Sequence, residues 1–231
     1  MKTPLIIGHR GDPSAALENS LESIRRALSL SVDMIEVDIR MSRDKGLYVI
    51  HDKTTARTAT ENVDIEASTT QEISRIRLKN GEQIPKLADV LGVVSGACGL
   101  NLEIKSSGAG AATAENLLRM GYQGYVLLSS FHENEVLVAR RVMPRAPISV
   151  IFDDFSIRNI SSYKKRGYHM VSLRKKTVTK KLIEACHEQG IQVYVWTVDD
   201  EREMKKIIGW GVDGIYSNKP ALLKEIVRNA G

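Results

Sequence analysis

Short runs of β-forming apolar residues recur along this chain, and each is followed by a stretch with helical spacing. The runs are Leu5–His9, Met34–Met41, Leu100–Ile104, Val126–Phe131, Ile148–Phe152, Met170–Leu173, Val193–Val198 and Gly214–Ser217. Helices are predicted over Ser20–Leu30, Lys86–Gly96, Ala114–Met120, Glu133–Val142, Ile157–Arg166, Val178–Gln189, Glu201–Ile208 and Ala221–Arg228. In the first of them Leu21, Ile24, Ala27 and Leu28 share a face, and Asn19 or Ser20 is placed to cap it. Strands that alternate with helices imply a parallel sheet covered by its crossovers. About eight such units predict an α/β fold closed as a (β/α)8 TIM barrel. A doubly wound sheet is the competing arrangement, but it usually has fewer strands.

One run breaks the pattern. Leu47–Ile50 is separated from Met34–Met41 only by the turn Ser42-Arg43-Asp44-Lys45-Gly46. A connection that short cannot join parallel strands, so this run folds back as a β-hairpin excursion outside the barrel. Residues 53–85 are polar and rich in Thr, Glu and Arg, with one helical candidate at Thr70–Arg77. They are expected to form a connecting segment over one end of the domain. The length of 231 residues suits a single barrel domain spanning residues 1–231.

Several function classes lose ground on composition. Cys98 and Cys186 have no zinc-ligand spacing and read as small buried residues. No run of 18 apolar residues occurs, and the N-terminal apolar stretch is too short for an export signal, so a cytoplasmic protein without membrane insertion is expected. The net charge is +5. Its basic clusters, Lys164-Lys165-Arg166, Arg174-Lys175-Lys176 and Lys180-Lys181, read as solvated helix ends and loops. With an aromatic content of 5% and no aromatic–basic interleaving, no nucleic-acid platform is expected. A homo-oligomer is left open.

Barrel enzymes carry their chemistry at the C-terminal ends of the strands. Here those ends hold His9 and Arg10, Glu36 and Asp38, His51 and Asp52, and Glu103 and Lys105. Glu36 and Asp38 are two apart and share one face of their strand, while Ile35, Val37 and Ile39 share the other. Carboxylates that point into a barrel with Glu103 need a counter-charge. One divalent cation on all-oxygen ligands supplies it, Mg2+ being favoured and Ca2+ the alternative. The plainer reading is that these acids pair with Arg10, Arg40 and Lys105. His9 and His51 are candidates for general acid and base across a phosphate, with Arg10 and Lys105 on its free oxygens. His132, His169 and His187 lack such a context.

Gly8-His9-Arg10-Gly11, Glu18-Asn19-Ser20, Glu36-Val37-Asp38, His51-Asp52 and Glu103-Ile104-Lys105 together resemble the glycerophosphodiester phosphodiesterase family. The match continues through Gly81-Glu82-Gln83-Ile84-Pro85, Ser130-Phe131, Trp196-Thr197-Val198 and Gly211-Val212-Asp213-Gly214-Ile215, and so covers nearly the whole chain. The resemblance implies a TIM barrel that hydrolyses glycerophosphodiesters to glycerol 3-phosphate and an alcohol. It implies metal ligands Glu36, Asp38 and Glu103 and acid/base residues His9 and His51. Asn19 would help shape the phosphate or metal site, and Trp196 would face the glycerol or leaving-group side. The chain departs from the family at Leu17, where Pro is usual, at Lys86, and at Ser217-Asn218-Lys219-Pro220, where Thr-Asp-x-Pro is frequent. A lysophospholipid substrate, or a non-catalytic binding barrel, would be the alternatives.

Overall fold

The computed structural model describes residues 3–229; residues 1–2 and 230–231, the ends of the predicted domain, lie outside them. The elements run β1 (Leu5–His9), α1 (Leu21–Ser29), β2 (Met34–Met41), β3 (Leu47–Val49), α2 (Thr70–Ile73), α3 (Leu87–Val94) and β4 (Gly99–Ile104). Then come α4 (Ala109–Arg119), β5 (Val126–Ser130), α5 (Glu133–Val142), β6 (Ile148–Phe152), α6 (Ile157–Lys165) and β7 (Met170–Arg174). The chain closes with α7 (Lys180–Glu188), β8 (Gln192–Trp196), α8 (Glu201–Gly209), β9 (Gly214–Ser217) and α9 (Pro220–Asn229).

Eight of these strands form a closed parallel barrel in the order β1, β2, β4, β5, β6, β7, β8, β9, with β9 returning to β1. The fold is the TIM barrel that the alternation predicts. β2 is longer than its neighbours. Its first residues pair with β1, and its last, Ile39–Met41, pair with the antiparallel strand β3 outside the barrel. This is the hairpin excursion expected from the short turn.

Side-chain alternation along β2 sorts its residues between two packed layers. Ile35, Val37 and Ile39 enter the large core between sheet and helices. Met34 enters the barrel interior with Ile7, Leu127, Met170, Tyr194 and Tyr216. Glu36 and Asp38 continue that interior row toward the C-terminal end of the strand. Each fully buried aliphatic side chain contributes about 1.5–3 kcal/mol, so a register slip that exchanged these rows would bury the acids under the helices. The fold therefore fixes which way the carboxylates point.

Residues 53–85 build a small core of their own. Tyr48, Ile50, Ile65, Ile73, Leu78 and Ile84 pack together in it beside β3. α2 stops at Ile73, short of the predicted Arg77, because the chain turns extended there. Arg77 bridges Gln83 and Leu78 bridges Ala59, which sends Ile76 and Leu78 into the small core. α4 begins at Ala109, earlier than the predicted Ala114. Its Gly-Ala-Gly start has weak helix propensity. The start is fixed from outside, by Gly108 N and Gly110 N donating to the Glu135 carboxylate at 2.9 and 2.8 Å. Among the described residues no helix is long and apolar enough to cross a membrane.

Candidate active site

The turn after β1 is built around close backbone approach. A β-carbon at Gly8 would lie 2.5 Å from Gly11 O, and Gly11 itself has φ +89° against Ser23. Between them Arg10 is held in the left-handed region at φ 60°, and Asn19 at φ 58°. Such conformations cost of order 1–3 kcal/mol for residues other than glycine and persist where surrounding contacts over-determine them. Those contacts are present. Arg10 N donates to Glu36 Oε2 at 2.9 Å, and Arg10 Nη1 donates to Glu18 Oε1 at 2.8 Å. Asn19 N donates to Arg10 O at 3.0 Å. Asn19 Nδ2 donates to Asp38 Oδ2 at 2.8 Å, and Asn19 Oδ1 accepts from Asp38 N at 3.3 Å. Asn19 thus stands beside Asp38, with both ends of its amide engaged there.

Glu36, Asp38 and Glu103 are all buried and can bring one oxygen each within 4.8 Å of the others. Arg10 Nε lies 3.2 Å from Asp38 Oδ2, Lys105 Nζ lies 3.2 Å from Asp38 Oδ1, and Lys105 also contacts Glu103 Oε1. Three carboxylates therefore share two cations. Glu36 Oε1 is buried with neither a hydrogen bond nor an ion pair among the described residues. Burial, and then the charges of Asp38 and Glu103, push the Glu36 carboxyl well above its usual range. Burial and Asp38 likewise raise Glu103 to about 7. Burial also acts on Asp38, but Lys105 and Arg10 outweigh it and hold that group well below the usual carboxylate range. A buried acid cluster in which Glu36 and Glu103 are both pushed toward their neutral forms, with an orphaned oxygen, is a fitting cradle for a hard divalent cation.

The two histidines are oriented by different partners. His9, at the end of β1, places Nδ1 2.7 Å from Asn218 Oδ1 and Nε2 3.9 Å from Glu36 Oε2. Burial, with Arg10 nearby, lowers His9 to about 4. His51 follows β3, and its backbone carbonyl accepts from Arg40 Nε at 2.8 Å. Its Nδ1 lies 2.7 Å from Asp52 Oδ1. Burial lowers His51 as well, partly offset by Asp38. Arg57 then donates to Asp52 Oδ2 at 2.7 Å and to both oxygens of Glu18 at 2.6 and 2.7 Å.

His9, Arg10, Glu36, His51, Glu103, Lys105 and Trp196 all line one cavity of about 140 Å³ at the C-terminal end of the barrel. Asp38 and Asn19 lie behind its wall. In the same cavity Phe131 meets Trp196 edge-on at 5.5 Å, and the buried Trp196 Nε1 has no hydrogen-bond partner among the described residues. His187 pairs instead with Asp213 at the opposite end of the barrel, at 2.7 Å, and His169 with Lys164 on the surface at 2.9 Å. Glu18, Arg57, Asp199 and Asn218 belong to the site's supporting network; Glu18 falls in a motif that carries the family resemblance, but the sequence assigns none of the four a role. Asp52 was visible in the His-Asp pair. Arg57 sits in a polar segment with no distinguishing signal, and Asn218 stood out only as a departure from the family's pattern.

The geometry agrees with known proteins. A model of the glycerophosphoryl diester phosphodiesterase family matches residues 9–222. A glycerophosphodiester phosphodiesterase of Caldanaerobacter subterraneus is 28% identical over 250 aligned residues, covering 100% of both chains. One from Bacillus altitudinis is 28% identical and covers 93% of this chain and 94% of its own. The structure of an Oleispira antarctica phosphodiesterase, in complex with the product sn-glycerol-3-phosphate, superposes with a TM-score of 0.90 at 22% identity, covering 98% and 97% of the two chains. With its barrel, its ordered motifs and this match over most of its length, the chain belongs to the glycerophosphoryl diester phosphodiesterase family of enzymes.

Proposed function

We propose that the chain hydrolyses glycerophosphodiesters to sn-glycerol 3-phosphate and an alcohol, using two histidines beside a divalent cation held by Glu36, Asp38 and Glu103. The observation that carries this reading is the buried three-carboxylate cluster with its orphaned Glu36 oxygen, two of whose members, Glu36 and Glu103, line the same cavity as His9 and His51. The product complex of the Oleispira antarctica relative supports the choice of substrate. When bound, the cation supplies Lewis-acid polarisation of the phosphate and neutralises developing charge. All-oxygen donors favour Mg2+ with Ca2+ as the alternative.

The chain's own residues do the rest. Arg10 and Lys105 flank the acid cluster and offer charge-assisted hydrogen bonds to the remaining phosphate oxygens. Their ammonium and guanidinium groups remain charged, because Asp38 chiefly, with Glu103 at Lys105 and Glu18 at Arg10, outweighs the effect of burial. His9 and His51 present their Nε2 atoms to the cavity, each ring being held at Nδ1 by a neighbour. One takes the proton of the attacking oxygen and the other delivers one to the departing alkoxide. Asp52 stabilises a protonated His51, whereas burial beside the neutral Asn218 amide keeps His9 uncharged at rest, so His9 is the ring poised to take a proton and His51 the ring poised to give one. The attacking oxygen is that of water or of the neighbouring glycerol hydroxyl; a transient cyclic phosphate would mark the second route. Trp196 Nε1 is a free donor for a glycerol oxygen.

The test is release of glycerol 3-phosphate from glycerophosphocholine and glycerophosphoethanolamine after chelation, then with Mg2+ or Ca2+ restored. Activity should return with the ion and stay absent in Glu36→Ala. No release with either ion would sink the substrate assignment, and choline release from lysophosphatidylcholine would redirect it to lysophospholipids.

A further inference from the structure

The Asp199 carboxylate, just beyond β8, collects three donors. They are Asn218 N at 2.7 Å, Asn218 Nδ2 at 2.7 Å and Ser217 Oγ at 3.0 Å. An ionised carboxylate only accepts hydrogen bonds. The end of the Asn218 side chain that faces Asp199 is therefore its NH2, and the end that faces His9 is its carbonyl. A carbonyl also only accepts, so the hydrogen of a neutral His9 ring sits on Nδ1, 2.7 Å away. Nε2 is left bare, and Nε2 is the nitrogen aimed at the acid cluster, 3.9 Å from Glu36 Oε2. Ser14 N donates to Asn218 O at 3.1 Å and fixes the backbone of this arm as well.

We propose that Asp199 and Asn218 are positioning residues that lock the tautomer of His9, keeping its Nδ1 protonated and its Nε2 free to take a proton. This rests on His9 being a proton-transfer group, as proposed above. The polarity of the relay makes it reversible by design. In Asp199→Asn, the introduced oxygen must stay on the Asn218 N–H, which only donates. The introduced NH2 then faces the Asn218 side chain. Two NH2 groups cannot satisfy each other, so the Asn218 amide turns over, offers its NH2 to His9 Nδ1, and moves the ring hydrogen to Nε2. The double change Asp199→Asn with Asn218→Asp puts an acceptor back against both neighbours and restores the original tautomer.

The measurement is a long-range 1H–15N correlation spectrum of the full chain carrying 15N-histidine, at neutral pH, with the His9 signals identified by their loss in His9→Gln. Wild type and the double variant should show His9 protonated on Nδ1, and Asp199→Asn should show it protonated on Nε2. kcat for glycerol 3-phosphate release should fall roughly 10²-fold or more in the single variant, with KM little changed, and largely return in the double. Nδ1 protonation retained in Asp199→Asn would overturn the lock, as would Nε2 protonation in the double variant. Should Asp199→Asn not fold, Asn218→Leu keeps the shape without the acceptor and must give mixed tautomers; an unchanged ring there overturns the proposal equally. If the tautomers move as expected while kcat does not, the lock stands and the catalytic reading of His9 fails.

Discussion

Replacing Glu103 by glutamine in the chelated protein should remove a pH-dependent loss of stability. In the folded chain its carboxyl is raised from 4.5 to about 7 by burial and by Asp38. Between those pH values the unfolded chain has already released this proton and the folded chain has not. Stability must then fall as pH rises through the window, and the full loss is present above about pH 7. At about 1.4 kcal/mol per pH unit, the loss assigned to this one group is about 3 kcal/mol. For a chain of this size that corresponds to roughly 6–12 °C in Tm.

His9 works against this slope. Its folded value of about 4 lies below the ordinary histidine value of 6.5, so its contribution to stability rises with pH over nearly the same interval. The wild-type curve alone is therefore uninformative, and the quantity to follow is the difference between wild type and Glu103→Gln. Thermal melts in EDTA from about pH 4.5 to 7.5 should show the variant gaining on wild type by about 3 kcal/mol. Saturating Mg2+ should raise the wild type most at the high-pH end, because the ion takes over the role of the proton. A difference that stays flat with pH in EDTA would refute the idea that the cluster is electrostatically frustrated without a cation.

The other expectations follow from single contacts. His51→Ala should lower the rate of glycerol 3-phosphate release by roughly 10²–10⁴-fold with folding intact, and near-normal turnover would remove it from the acid/base pair. The pH profile of kcat/KM should report a base with an apparent pKa below 6.5, since burial lowers His9 and His51 alike; an acidic limb above that value contradicts it. Gly11→Ala should cost at least about 2 kcal/mol in chemical denaturation, because an added β-carbon needs positive φ and strikes Ser23.

The barrel was readable because its signals are periodic and redundant. Alternation along β2 alone places Met34, Glu36 and Asp38 on one row and Ile35, Val37 and Ile39 on the other, and the observed cores follow that division. The boundaries that escaped were those set by distant partners. α4 starts at Ala109 because Glu135 caps Gly108 and Gly110, which no local pattern in a Gly-Ala run reveals. α2 ends at Ile73 because residues 77–83 pair with one another and with Ala59. The same holds in the site. His9, His51 and the three acids sit at strand ends and announce themselves by interrupting apolar runs. Arg57 lies in a polar segment and acquires its place only when that segment folds over Asp52 and Glu18.

Arg57 bears on how Arg10 can bind a phosphate at all. Arg10 is flanked by Glu18 and Asp38, and two carboxylates on one guanidinium would leave it little attraction for a third anion. Glu18 is not Arg10's alone, however. Its two oxygens take two short hydrogen bonds from Arg57, against one from Arg10. Burial would raise its carboxyl, but those bonds and Arg10 outweigh it and hold the group below the usual carboxylate range. Arg57 also holds Asp52, whose carboxyl it lowers to about 2, with a smaller contribution from His51. One exposed guanidinium thus occupies the acid next to Arg10 and the acid next to His51. Arg57→Ala would hand Glu18 back to Arg10 and leave Asp52 to His51 alone. Phosphate affinity should weaken while His51 becomes more basic, so KM should rise and the acidic member of the kcat profile should move to higher pH. A loss of kcat with both of those unchanged would show that Arg57 merely braces the segment.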